Sequence, residues 1–99
     1  MLTITTRIEV TAGHLLKGVA GEPCACAVWH AIAEALPHLA GSLAVCGSTI
    51  RAGGEHHALP QIAVSRIGDI DSRMPVKPFG FALELPDYLA LPPAEVPTR

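Results

Sequence analysis

The residues best suited to chemistry in this 99-residue chain are Cys24, Cys26 and Cys46, with His30 close behind the first two. Three thiols and one imidazole make a four-ligand set of the kind that holds zinc. On a helix, Cys26, His30 and Glu34 are spaced i, i+4, i+8 and stack along one flank. The Cys-x-Cys pair lacks the two-residue spacer of the commonest zinc knuckles, and Cys46 stands alone. Cysteine is also among the most buried residue types, so the same residues serve equally as small core side chains. A thiol at a helix N-terminus feels the positive end of the dipole, which makes Cys24 and Cys26, next to Pro23, candidates for a reactive thiolate. A nucleophile also needs a base and an oxyanion site. His56 and His57, beside Glu55, are the other candidates for metal binding or for titration near neutral pH.

No enzyme signature accompanies these groups. Gly53 and Gly54 are not followed by the Lys and hydroxyl residue of a phosphate loop. Ser48 and Ser65 sit in no Gly-x-Ser-x-Gly setting, and Asp69 and Asp71 lack further carboxylates at calcium-loop spacing. Three cysteines leave one unpaired in any disulfide framework. The reading is a non-enzymatic chain with no cofactor, and zinc as the alternative.

The elements that position these residues follow from patterning. Leu2, Ile4, Ile8 and Val10 alternate with Thr3, Thr5, Arg7 and Glu9, which predicts a half-buried strand. Thr11 caps a short helix over 12–17 that Gly18 ends. A second helix is expected to start near Pro23, with Ala25, Val28, Trp29, Ile32 and Leu36 on one stripe and Pro37 ending it. Leu43, Val45, Ser48, Thr49 and Ile50 predict one or two short strands around Gly47. Residues 52–57, with two adjacent glycines, are expected to be a flexible loop. Leu59, Ile62, Ala63, Ile67 and Ile70 recur at helical spacing, and Phe79, Phe81, Leu83 and Leu85 alternate as a strand with one aromatic face. Residues 86–99 hold four prolines and are expected to lack regular structure. This order predicts an α+β fold: one domain over 1–85, with a three- or four-stranded antiparallel or mixed sheet and two or three helices on one face, then a Pro-rich C-terminal tail over 86–99.

Composition narrows the function classes. The chain is 49% hydrophobic but only 4% aromatic, so its core is aliphatic and thin. A net charge of −2 with scattered basic residues argues against direct nucleic-acid binding. No apolar run approaches the roughly 20 residues of a membrane span, and the start lacks a basic stretch followed by an apolar one, so a cytoplasmic location is expected. A hydrophobic excess that a chain this short cannot hide leaves apolar surface for a partner protein or a homodimer.

Ile8, Val10, Thr11, His14, Leu15, Gly18 and Val19, then Cys26, Ala27, Val28 and Ala31, then Val76, Pro78, Phe79, Phe81, Leu83 and Leu85 resemble small uncharacterised proteins of bacteriophages and prophages, many from high-GC hosts. These open with a strand, turn through Thr-x-x-His into a helix, continue with a Cys-led helix and close on a Pro-Phe-x-Phe-x-Leu strand. Cys24 departs from the pattern, since the similar sequences more often space their cysteines by two residues. The resemblance implies a phage-encoded module that binds a host or phage protein, such as an anti-CRISPR-like inhibitor of a host defence complex, or else a virion or assembly accessory protein. The expected contact surface combines Phe79, Phe81 and Leu83 with Tyr88, Leu89 and Leu91 of the tail.

Overall fold

The computed structural model describes residues 2–92, which form an α+β unit. In chain order its elements are β1 (Thr3–Val10), α1 (Ala12–Lys17), α2 (Ala27–Ala35), a 3-10 helix (Pro37–Ser42), β2 (Ala44–Val45), β3 (Thr49–Ala52), β4 (Glu55–Ala58), α3 (Gln61–Asp71), β5 (Phe79–Pro86) and α4 (Asp87–Ala90). Five strands divide between two antiparallel sheets, β1-β5 and β2-β3-β4, where patterning alone pointed to a single sheet. Period-two alternation identifies strands and does not encode which strand pairs with which.

The β1-β5 ribbon carries the architecture. Its register runs from Thr3 opposite Pro86 to Val10 opposite Phe79. Alternation places Ile4, Thr6, Ile8 and Val10 beside Leu85, Leu83, Phe81 and Phe79 on one face, and Thr3, Thr5, Arg7 and Glu9 beside Glu84, Ala82 and Gly80 on the other. The first face is the core side, where Ile8 and Leu83 are wholly buried and Phe81 is 1% exposed. Val28, Ala31 and Ile32 of α2, Ile50 and Ala52 of β3, and Ala63 and Ile67 of α3 complete that core. The helices thus cover one face of the ribbon, as expected.

Local chemistry explains several boundaries. The first helix runs from Ala12 to Lys17 behind its Thr11 cap, as the sequence predicts. The second starts at Ala27 rather than near Pro23, because residues 23–25 form a turn and Cys26, in extended geometry, is the N-cap. Its sulfur accepts the Trp29 amide at 3.4 Å. Leu36 leaves the helix as its C-cap, since the ring of Pro37 disfavours helical geometry in the residue before it. Gly18 is required by close approach rather than by a left-handed turn: a Cβ there would lie 2.8 Å from the Ala27 Cα and closer still to its nitrogen.

Two expectations are corrected here. Residues 52–57 are not a flexible loop. Gly53 and Gly54 take φ of 58° and 81°, the two positive angles that a tight hairpin turn matching strand twist demands, and they join β3 to β4. The predicted tail likewise does not begin at 86. Pro86 ends β5, and α4 folds back with Leu89 buried beside Gly53. The His38 Nε2 lies 2.7 Å from the Leu89 carbonyl, and the Tyr88 hydroxyl donates to Glu55 at 2.6 Å, so side chains on two elements pin that turn. Residues 93–99 of the predicted tail lie outside the described residues.

Packing of this kind has measurable consequences. Gly18→Ala, which drives a methyl group into the start of α2, is expected to destabilise the protein by about 1–3 kcal/mol in urea unfolding. Phe81→Ala, at the centre of a core with few rings, is expected to lose about 3–5 kcal/mol. An unchanged midpoint for Gly18→Ala would refute the close approach of α1 and α2.

Candidate functional site

The structure separates the four residues of the expected metal set. Cys26 is 8% exposed and its sulfur is engaged as the α2 cap. Cys24 is exposed in the preceding turn and donates to the Leu43 carbonyl at 3.6 Å, an oxygen that also takes the Trp29 indole N–H at 2.8 Å. Cys46 is exposed just beyond β2. His30 meets the Trp29 ring edge-on at 5.2 Å between centroids. Cys26 and Cys46 line one shallow groove of about 230 Å³ with Glu22, Ile67 and Asp71, and neither Cys24 nor His30 lines it. Among the described residues, no group of three or more His, Cys, Asp or Glu side chains is placed to hold a metal ion.

The reactive-thiolate expectation is overturned at Cys26. Burial pushes its thiol up from the ordinary cysteine value, outweighing the Trp29 and Val28 amides that favour the charged form. The helix end supplies donors, but the sulfur has left the water that stabilises a thiolate most. His56 and His57 lie on β4, and His57 Nε2 sits 3.2 Å from Glu55, the carboxylate that also receives Tyr88.

A polar cluster that spacing arguments overlooked joins α1 to α2. His14 is buried, with its Nε2 2.6 Å from Glu34 Oε2. Its Nδ1 lies 3.0 Å from the Thr11 amide and 3.1 Å from the Thr11 hydroxyl. A backbone amide can only donate, so Nδ1 accepts and the ring proton sits on Nε2, aimed at the carboxylate. Hydroxyl, imidazole and carboxylate in line are the parts of a general-base relay. Here, however, the lone pair that would take the hydroxyl proton already accepts the Thr11 amide. The cluster is a capping box with His14 where Glu or Gln usually stands, extended by Glu34 into a tie between two helices. The sequence signal was Thr11-x-x-His14, a capping-box spacing. The hydrogen bond from His14 Nε2–H holds the Glu34 carboxyl below its ordinary value.

The expected partner surface needs correction as well. Phe81 and Leu83 point into the core, and Leu89 is a buried residue of α4, so none of the three faces a partner. Phe79 and Leu91 are half-buried, and the exposed Tyr88 is bonded to Glu55. One strand parity places the aromatic face inward, which alternation alone leaves unassigned. Exposed apolar side chains occur elsewhere: Leu16 on α1 is 88% exposed, and Met74, after α3, is 58% exposed. A groove of about 340 Å³ is lined by Leu15, next to Leu16 in the chain, and by Ile70, Met74 and Val76, with Arg73 on its wall. Arg73 holds a φ of 61°, a left-handed geometry that turns the chain sharply out of α3.

No family model, curated protein or solved structure matches the chain.

The geometry sets two expectations. In the native protein, Cys24 and Cys46 react promptly with a disulfide reagent while Cys26 reacts only after unfolding; three equally fast thiols would contradict the burial of Cys26. For Glu34, the folded pKa lies below the unfolded one, so its contribution to stability is present above the unfolded value and is lost as pH falls through the folded one. Glu34→Gln should therefore lower the urea midpoint at neutral and alkaline pH and flatten the acid limb of the stability profile, with the gap to the wild type closing as pH falls through the acid titration.

Proposed function

We propose that the chain is a non-enzymatic protein-binding module whose contact surface is the groove between α1 and the segment after α3. The observation that carries this reading is an apolar cleft walled by Leu15, Ile70, Met74 and Val76, with Met74 solvent-facing and the exposed Leu16 following Leu15 on α1. Apolar surface gathered around a concavity is typical of interfaces, whereas single exposed hydrophobics are ordinary. Arg73 adds one cation at the wall, which fits a partner that offers an apolar side chain beside a carboxylate.

The reading is supported on its negative side by the Thr11, His14 and Glu34 cluster, whose basic nitrogen is occupied by a cap. The resemblance to small phage-borne proteins is what supports a host-derived partner, with stoichiometric inhibition of a defence complex as its specific form.

The test is capture from host lysate with chemical cross-linking, comparing the wild type with Leu16→Asp and Met74→Asp. Both side chains are exposed, so the variants should keep the wild-type circular dichroism spectrum and thermal midpoint. The expected outcome is a partner recovered by the wild type and by Ile62→Asp, an exposed position on α3, and lost from the two groove variants. A partner set that is the same for all four proteins, or an empty one for the wild type, would sink the proposal.

A further inference from the structure

We infer that the outer edge of β5 pairs with β5 of a second copy, joining two ribbons into one four-stranded antiparallel sheet. This inference concerns a different surface from the groove proposed above and does not depend on it.

The direction of the backbone groups decides which of them are open to a further strand. Asp87 N donates to Leu2 O at 2.8 Å, one step beyond the Thr3 and Pro86 pair. In an antiparallel ladder, pairs that exchange hydrogen bonds alternate with pairs that do not. Ile4, Thr6, Ile8 and Val10 therefore bond across to Leu85, Leu83, Phe81 and Phe79. The amides and carbonyls of Thr3, Thr5, Arg7 and Glu9 on one edge, and of Gly80, Ala82 and Glu84 on the other, point outward. Among the described residues, no strand adds to either edge. An edge of this kind is a template for another strand unless charge, proline or a covering segment blocks it.

The two edges differ in how they are protected. On β1 the outward row carries Arg7 and Glu9, charged side chains of the kind that blunt an open edge. On β5 the outward row holds no cation and is centred on Ala82, which is exposed. Pro78 before the strand and Pro86 at its end limit the open stretch to Gly80, Ala82 and Glu84. A groove of about 440 Å³ adjoins this edge, lined by Ala82 and Glu84 together with Ala58, Leu59 and Pro60.

Charge selects the occupant. A two-fold axis at Ala82 sets Ala82 opposite its own copy and Glu84 opposite Gly80 of the second molecule. The Arg7 guanidinium and the Glu9 carboxylate lie directly over Gly80, where any Cβ would collide with both. Arg7 uses its Nε to hold Glu9 at 2.7 Å, which leaves the terminal nitrogens for a second carboxylate. Glu84 of each copy then meets Arg7 of the other, twice across the axis, with Arg7 shared between Glu9 and the incoming Glu84. The absence of a side chain at Gly80 is what lets Arg7 lie flat there and present itself across the edge.

Sedimentation equilibrium over a range of concentrations tests the pairing. The wild type should form a dimer. Ala82→Pro removes one outward N–H and leaves the β1 ladder intact, because that amide does not face β1; this variant should be monomeric with its circular dichroism spectrum preserved. Glu84→Arg should weaken the dimer by about tenfold or more through two like-charge contacts, and Arg7→Glu combined with Glu84→Arg should restore it. A wild type that stays monomeric at all concentrations overturns the inference. So does a dimer that survives Ala82→Pro and Glu84→Arg, since it would be built on another surface.

Discussion

The constraint on which the rest depends is the pairing of β1 with β5. These strands lie at opposite ends of the described chain, yet every residue of one is matched to a residue of the other, from Thr3 and Pro86 to Val10 and Phe79. The ribbon supplies most of the largest fully buried side chains, Phe81 and Ile8 among them, and a single face on which to gather the rest. α2 and α3 bring Ile32 and Ile67 to that face, and the β3-β4 hairpin closes the far side through Ile50 and Ala52. With few rings available, the core relies on Ile, Leu, Val and Ala meeting at several elements at once. Close approach substitutes for bulk, as at Gly18, where α1 touches the first residue of α2.

What patterning revealed of the fold was the part written in period and in caps. The alternation of Leu2 to Val10 and of Phe79 to Leu85 gave both ribbon strands, the stripe through Val28 and Ile32 gave α2, and Thr11 gave the start of α1. What it missed depends on contacts distant in sequence. Pairing partners are not encoded in alternation, so two sheets looked like one. Gly53 and Gly54 read as looseness because paired positive φ angles are recognisable only once strands flank them. Residues 87–90 read as tail because their anchors, His38 and Glu55, lie more than thirty positions away.

The site shows the same division. Cys24, Cys26, His30 and Cys46 attracted attention by type, and the fold distributes them among a turn, a helix cap, a ring contact and a strand end. His14 attracted none on its own chemistry, although it is the buried histidine that organises a helix start and binds a carboxylate twenty residues on. Residue type proposes chemistry, but lone pairs decide it: the Cys26 sulfur and the His14 Nδ1 each already accept a backbone amide. The apolar surface followed a related logic. The aromatic strand face that looked available is the inside of the molecule, and the exposed large apolar side chains, Leu2, Leu16, Val19, Ile62 and Met74 among them, lie on other segments.

The ribbon also sets an order of events during synthesis. β1 leaves the ribosome well before β5, its strand partner among the described residues, so Ile8 and Val10 have no ladder to join until Leu85 has emerged. At about 5–20 residues per second that interval is roughly 4–15 s. The β3-β4 hairpin, closed by two glycines between adjacent segments, can form well inside it. The nascent chain thus holds β1 without its ladder for that interval, and Thr3, Thr5, Arg7 and Glu9, interleaved with Ile4, Ile8 and Val10, set a polar side chain at every second position while it waits.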